Sequence, residues 1–385
     1  MLRPRKTGGK DTCFLFKRKS FLENLESLII VGMEPNRNTF SDRLLAWYNL
    51  AFRPLPWRET RDPYAIWLSE IILQQTRVDQ GLAYYHRFLE LFPTVLDLAN
   101  APEDDVLRCW QGLGYYSRAR NLHAAAKMIR DEMDGNFPST HKDILSLKGV
   151  GPYTAAAISS IAFQLPHAVV DGNVYRFLSR LFGIETPIDS PKAHQQFSAL
   201  AQELLDVKQP GNFNQAMMEF GATVCKPAAP LCEECVFRME CVALRNSTVR
   251  ELPIKSKKTK IRKRYFYFLV MIDGHNNVLI ERRTEGDIWT GLYQFPLIET
   301  AESTSVEALL SEHSYLKAGE FVIQKHSSET KHILSHQHIH ARFIHLSVNQ
   351  LPQAHFPGAE SLNIEQLAEK ALPRLITRYL ETTSL

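Results

Sequence analysis

The sequence predicts a mostly α-helical region followed by a smaller α+β domain. Apolar residues recur at three- and four-residue spacing from Ser41 to about Asn246, as in DRLLAWYNLAF, AIWLSEIILQQT, YYHRFLELF, ARNLHAAAKMI and AAISSIAF. Pro and Gly mark the loops between them, as in FRPLPWRETRDP and DGNFPST. The texture changes after KSKKTKIRKR (Lys255–Arg264), which carries seven basic residues in ten. YFYFLVMI, Asp273-Gly274 and NVLIERR then read as a β-hairpin, and HILSHQHIHARFIHLSV alternates like one strand. Helical spacing returns in VEALLSEHSY and IEQLAEKALPRLITRYL.

A chain of 385 residues is long enough for two or three domains, and 44% apolar content supplies their cores. The net charge of +3 sets up no global field that compels a nucleic-acid partner. No apolar run is long enough to span a membrane. Residues 1–32 are basic and end in the apolar run Leu28–Val31. Asp11, Glu23 and Glu26 spoil a transit-peptide reading, so this segment reads as a disordered extension, or as sequence ahead of a start at Met33.

Four of the six cysteines fall in one short stretch as C-x6-C-x2-C-x5-C: Cys225, Cys232, Cys235 and Cys241. Such density in a cysteine-poor chain points to a ligand set, because thiolates select zinc or iron–sulfur. Zinc modules usually pair two short hooks, and only one is present. The uneven spans suit the separated corners of a cubane, which favours [4Fe–4S] over zinc. Paired disulfides are the third reading, disfavoured because nothing reads as secreted. Reduced cysteines imply a cytoplasmic compartment.

LKGVGPYTAAA (Leu147–Ala157) has a helix arriving through DILSLK, two glycines suited to positive φ in a tight turn, and Pro152 at the first position of the next helix. Backbone N–H groups and a positive helix end would then point at one spot, which suits a nucleic-acid phosphate. An ordinary glycine-rich turn has the same residues.

This helix–hairpin–helix pattern, an aspartate about twenty residues on (Asp171) and the cysteine spacing together resemble the endonuclease III superfamily of DNA glycosylases. Within it the chain is most similar to adenine DNA glycosylases of the MutY type, from about Phe40 to Leu252 and more weakly beyond. The motifs are LPWR (Leu55–Arg58), WLSEIILQQT (Trp67–Thr76), GLGYYSRARNLH (Gly112–His123), LKGVGPYT (Leu147–Thr154), VDGNVYR (Val170–Arg176) and FNQAMMEFGA (Phe213–Ala222). The resemblance implies a glycosylase region over residues 33–250. It divides into an iron–sulfur cluster lobe (33–62 and 171–250) and a six-helix barrel (63–170). A basic linker (251–264) and a Nudix-like lesion-recognition domain (265–385) follow.

Adenine must leave deoxyribose as a neutral base, so a ring nitrogen needs a proton, and the sugar becomes cationic, so it needs a nearby anion. Two carboxyl groups of unlike pKa meet both needs. Glu70 shares its helix face with Ile66, Trp67, Leu73 and Gln74, and partial desolvation there would keep its proton available. The resemblance assigns this position to protonating N7 and then handling the water. Asp171 precedes Gly172 and a helix, so it can cap that helix, which would hold it ionised, and stabilise the sugar cation. Asn173 would orient the sugar or water. Tyr153 stands where lyase members carry a lysine, and a phenol forms no Schiff base, so a monofunctional glycosylase is expected.

By the same resemblance Gln75 and Tyr115 wedge into the duplex, and the adenine pocket involves Leu55, Trp57, Arg58 and Gln215. Lys148, Gly149 and Gly151 would meet phosphate. The implied cofactor is a [4Fe–4S] cluster on the four cysteines, and the implied partner is double-stranded DNA with adenine opposite 8-oxoguanine or G, bound by a monomer. Relatives carry several basic residues between the first two cluster ligands; KPAAPL here holds Lys226 alone. The family's lesion-sensing Phe-Ser-His becomes Leu334-Ser335-His336, which leaves Ser335 and His336 to bond the lesion. WTGLYQFP supports the Nudix-like reading, while the missing REUxEE run argues against nucleotide hydrolysis. His336, His338 and His340 alternate along the expected strand and read as surface histidines rather than a metal set. A pyrimidine glycosylase/lyase and a non-catalytic DNA-binding scaffold are the competing readings. Tyr153 opposes the first, and the pair Glu70 and Asp171 the second.

Overall fold

A computed structural model describes residues 38–256, 261–284, 286–312 and 321–383. The expected 1–32 extension lies outside them. In chain order the first helices are α1 (Asn38–Leu50), α2 (Pro63–Leu73), α3 (Val78–Leu91), α4 (Val95–Asn100), α5 (Glu103–Cys109) and α6 (Ser117–Glu132). Then come α7 (His141–Ser146), α8 (Pro152–Phe163), α9 (Gly172–Phe182), α10 (Pro191–Leu204), α11 (Pro210–Thr223) and α12 (Val242–Arg245). The remainder is β1 (Arg262–Ile272), β2 (Asn277–Arg282), β3 (Tyr293–Gln294), β4 (Leu297–Thr300), α13 (Val306–Glu312), β5 (Phe321–His326), β6 (Thr330–Ile333), β7 (Gln337–Val348), β8 (Ala359–Asn363) and α14 (Arg374–Thr382). The chain divides into two compact units, residues up to 61 with 152–256, and residues 62–151 with 257–385.

The first unit holds α1 and α8–α12 around an aromatic core that includes Phe40, Trp47, Phe177, Phe213, Phe220 and Phe237. Phe237 lies between two of the clustered cysteines and stacks on Phe40 at 4.8 Å. Burying such a ring contributes roughly 1.5–3 kcal/mol, so the cysteine segment is tied to the core by packing. Helix α9 starts at Asp171 and ends at Gly183, whose φ of 65° is left-handed. A Cβ on Gly183 would lie 2.5 Å from a Val242 methyl, which fixes glycine there.

Helix α8 belongs to this unit, whereas the sequence reading placed residues up to 170 with the barrel. The reason is close backbone packing on α11. A Cβ on Gly211 would meet the Ser160 carbonyl at 2.7 Å, and the Asn214 amide donates to Ser160 Oγ and to the His167 carbonyl, each at 2.8 Å. The expected linker also shrinks. The Leu252 carbonyl accepts from Arg180, and Ile188 donates its N–H to the Ile254 carbonyl, so residues 251–254 are part of this unit, while 262–264 are in β1.

In the second unit Asp62 caps α2 by accepting from the N–H groups of Tyr64 and Ala65, with Pro63 in the first turn. Trp67, Phe88 and Trp110 are fully buried among α2–α6. The same unit holds a mixed sheet in the order β3-β2-β1-β7-β5, with β4 on β1, β6 on β7 and β8 on β2. β1 and β7 run parallel in unbroken register from Arg262–Gln337 to Ile272–Ser347. The hairpin read at Asp273-Gly274 is present: Asp273 accepts from the N–H groups of His275 and Asn277 across the turn. Arg264, almost fully buried, is clamped by both Asp287 and Glu299, so its charge is paired as a buried guanidinium requires.

HILSHQHIHARFIHLSV is two strands, not one. β6 pairs antiparallel with β7, with Ile333 opposite His338, and Leu334–His336 form the connection. His336 therefore leaves the strand that carries His338 and His340. Strict alternation hides such a turn, because Ser and His are tolerated in both settings. Among the described residues no group of three or more His, Cys, Asp or Glu is placed to hold a single metal ion.

Candidate functional site

The first unit holds the cysteines and Asp171. Cys225 follows α11, Cys232 and Cys235 bracket a short 3-10 turn, and Cys241 precedes α12. All four are free thiols and together line one cavity of about 30 Å3, walled also by Phe177, Leu181 and Phe237. Burial raises the thiols of Cys225 and Cys232 and pushes that of Cys235 up to about 12. Arg180 is buried beside them. Its guanidinium lies 3.6 Å from Cys225 Sγ and donates to the carbonyls of Lys226, Pro227 and Leu252. Four soft donors around a cavity, with one buried cation next to them, fit a polynuclear thiolate-bound group better than a single ion.

Asp171 caps α9. Its Oδ1 accepts from the N–H groups of Asn173 at 2.9 Å and Val174 at 2.7 Å, and its Oδ2 accepts from the Asn173 amide at 2.7 Å. Capping is as expected, but its consequence is not. Burial pushes the Asp171 carboxyl up, and the three hydrogen bonds and the Arg176 guanidinium only partly pull it back. Desolvation outweighs the cap. Arg176 donates to Asn173 Oδ1 at 2.9 Å and to the carbonyls of Cys225 and Gly221, each at 2.7 Å. Gly221 has no room for a side chain, since a Cβ would sit 2.6 Å from the Asn173 carbonyl oxygen.

The predicted pocket residues of the same unit cluster. Leu55 and Trp57 are buried, and Pro56–Arg58 form a 3-10 turn. Arg58 donates to Glu219 at 2.6 Å, and Arg53 reaches the same oxygen at 2.8 Å. Gln215 Oε1 accepts from the Tyr48 hydroxyl at 2.8 Å. Tyr153, on the first turn of α8, donates its hydroxyl to Met218 Sδ at 3.6 Å.

The second unit holds Glu70, the expected wedge residues and the expected sensing connection. Glu70 is 7% exposed, on a helix whose residues from Tyr64 to Ile72 are all buried. Gln74 has left the helix as its C-cap, so Glu70 keeps Ile66, Trp67 and Leu73 of its expected face. Gln75 and Tyr115 are exposed and have positive φ, 56° and 48°. The Tyr115 hydroxyl contacts Ser335 Oγ, which brings two predicted DNA-facing residues together. His336 is exposed next to it. In the hairpin Lys148 is exposed and Gly149 has the expected positive φ of 79°, packed against Asn121. Gly151 departs from expectation. Its φ is not positive, and a Cβ would meet nothing within 4 Å. What Gly151 provides is open space beside the start of α8, not turn geometry.

Sequence reasoning missed Tyr48, Arg118, Arg176, Arg180 and Glu219. Arg176 and Arg180 had a signal: they stand four apart on a helix face otherwise made of Phe177, Leu181 and Val174, and buried arginines need acceptors. Glu219 had none, because its partners come from a segment 161 and 166 residues away.

Residues 68–203 match the HhH-GPD superfamily of base excision DNA repair proteins, and residues 267–382 match the NUDIX domain. The adenine DNA glycosylase of Buchnera aphidicola subsp. Schizaphis graminum is 34% identical over 314 residues, which covers 81% of this chain and 86% of that protein. The adenine DNA glycosylase of Mus musculus is 34% identical over 388 residues, covering 86% and 75%. A thermostable thymine-DNA glycosylase superposes with a TM-score of 0.51 at 31% identity, over 55% of this chain and 97% of that one.

Proposed function

The chain belongs to the adenine DNA glycosylase family, and from that premise we propose that it hydrolyses the N-glycosidic bond of adenine mispaired with 8-oxoguanine or G in duplex DNA. The observation that carries the chemistry is a glutamate buried in the middle of an apolar helix. A carboxyl group held in so water-poor a place is positioned to act as a general acid on an extruded base. Glu70 protonates N7 of the extruded base. The C1′–N9 bonding pair leaves with the base, the sugar becomes oxocarbenium-like, and a water adds to C1′ as its proton returns to Glu70.

Asp171 supplies the anion for the sugar. Its raised pKa suits a group whose ionised form is completed by a cation arriving late. Asn173 holds one of its oxygens and keeps the carboxylate in one orientation. Tyr153 offers no amine, so no Schiff base forms and the product is an intact strand with an abasic site. Gln75 and Tyr115 replace the lost stacking, as extrusion of a base requires. Ser335 and His336 bond the lesion from their connection between β6 and β7.

Cys225, Cys232, Cys235 and Cys241 hold a [4Fe–4S] cluster, which when bound supplies a rigid cross-link with fixed charge. The cysteines fit this group through their shared cavity, their free thiols and the adjoining Arg180. The test uses duplexes with adenine opposite 8-oxoguanine, G or T, heated in alkali after incubation. Strand breaks only after alkali, foremost in the first duplex, are expected. Breaks without alkali would mean a lyase, and no breaks at all would remove the enzymatic reading.

A further inference from the structure

Gln75 and Tyr115 lie just outside two helices, the first one residue past the C-cap of α2 and the second one residue before Tyr116, the N-cap of α6. Left-handed backbone is uncommon in such residues and persists only where the surroundings impose it. Here one side chain reaches both loops. Arg118 Nη1 donates to the carbonyls of Ile71 at 2.9 Å, Ile72 at 3.0 Å and Gln74 at 2.5 Å. Its Nη2 makes longer contacts to the carbonyls of Gly114 at 3.3 Å and Leu113 at 3.5 Å, and to Thr76 Oγ1 at 3.5 Å.

The first set closes carbonyls that the end of α2 leaves without intrahelical partners. The second set belongs to the turn that presents Tyr115. The guanidinium carbon also lies 5.0 Å from the Trp110 ring centroid and 5.7 Å from that of Tyr115. We propose that Arg118 is the positioning residue for base extrusion: it fixes the spacing between the Gln75 and Tyr115 loops, so that both side chains enter the duplex as one wedge. This rests on the proposed wedge role of those two residues. Lysine cannot substitute, because a point ammonium has no planar fork to bridge two loops. Burial pulls Arg118 down to about 10, so the group is desolvated yet remains a cation at neutral pH.

The test is stopped-flow fluorescence of the full-length protein on a duplex with 2-aminopurine at the target position opposite 8-oxoguanine. It is run on wild type, Arg118→Lys, Gln75→Ala, Tyr115→Ala and the Arg118→Lys/Tyr115→Ala double variant. Single-turnover cleavage of the adenine duplex separates extrusion from chemistry. Arg118→Lys should slow extrusion by about 10- to 100-fold, the scale of losing alignment by an ångström or less. Cleavage after extrusion should stay within about twofold of wild type, and the double variant should be no slower than Tyr115→Ala alone.

Wild-type extrusion in Arg118→Lys would overturn the inference, as would multiplied effects in the double variant, which mean independent action. An equal loss in the chemical step would also overturn it, by showing that Arg118 serves only to hold α2. If Gln75→Ala and Tyr115→Ala both extrude normally, the wedge reading itself fails and takes the inference with it.

Discussion

Glu70 and Asp171 are both carboxyl groups, and their settings differ in kind. Glu70 sits buried in mid-helix, with Ile66, Trp67 and Leu73 on its helix face. Asp171 sits at a helix start and receives three hydrogen bonds. One setting is the buried interior of a helix, while the other holds a carboxylate in place by three donors yet still raises its pKa. The difference teaches that a cap need not guarantee an easily ionised carboxylate. Donors lower the pKa, but the burial that comes with them raises it, and the balance is set by packing.

The largest expected effect comes from removing the transferable proton. Glu70→Gln should bind duplex as wild type does and lower single-turnover base release by about 10⁴-fold, the upper range for general acid catalysis. Retained activity would break the contrast at its stronger end. Asp171→Asn should cost roughly 10³-fold in rate, as for loss of one preorganised electrostatic group, while keeping the cap.

The same variant sharpens the comparison through stability. A raised native pKa means that ionised Asp171 costs stability as pH rises through its native value, and that this cost is absent below the ordinary 3.8. Asn cannot ionise. Asp171→Asn should therefore melt at a higher temperature than wild type at pH 7, and the gap should close as the pH falls toward 4. A lower melting temperature at pH 7 would mean that the hydrogen bonds win after all.

A smaller effect is expected from Glu219→Ala, which leaves Arg58 buried without its carboxylate and should destabilise the fold by about 3 kcal/mol in chemical denaturation. Glu219→Gln, which still accepts, should recover part of that loss. The smallest is Leu334→Phe, which supplies the ring that the family resemblance implies at this position. It should tighten binding to the 8-oxoguanine duplex by about 2- to 10-fold, an aromatic contact's worth, and leave the rate on A·G nearly unchanged. Equal tightening on both duplexes would detach Leu334 from lesion sensing.

Local chemistry was legible in the residues themselves. Helical spacing located α2, the Asp-Gly pair located the first hairpin, Asp171 before Gly172 announced a cap, and four clustered cysteines announced a ligand set, whose members line one cavity. These features depend on neighbours within a few positions, where backbone geometry leaves few choices. Tertiary packing decided the rest. It moved α8 across the expected boundary through contacts at Gly211 and Asn214, and it split one alternating run into β6 and β7. It set the direction of the Asp171 pKa, and it joined Arg118 to two loops and Glu219 to two distant arginines. Those outcomes depend on which desolvated groups meet across long stretches of chain, and a buried charge or carbonyl must find a partner wherever the fold places one.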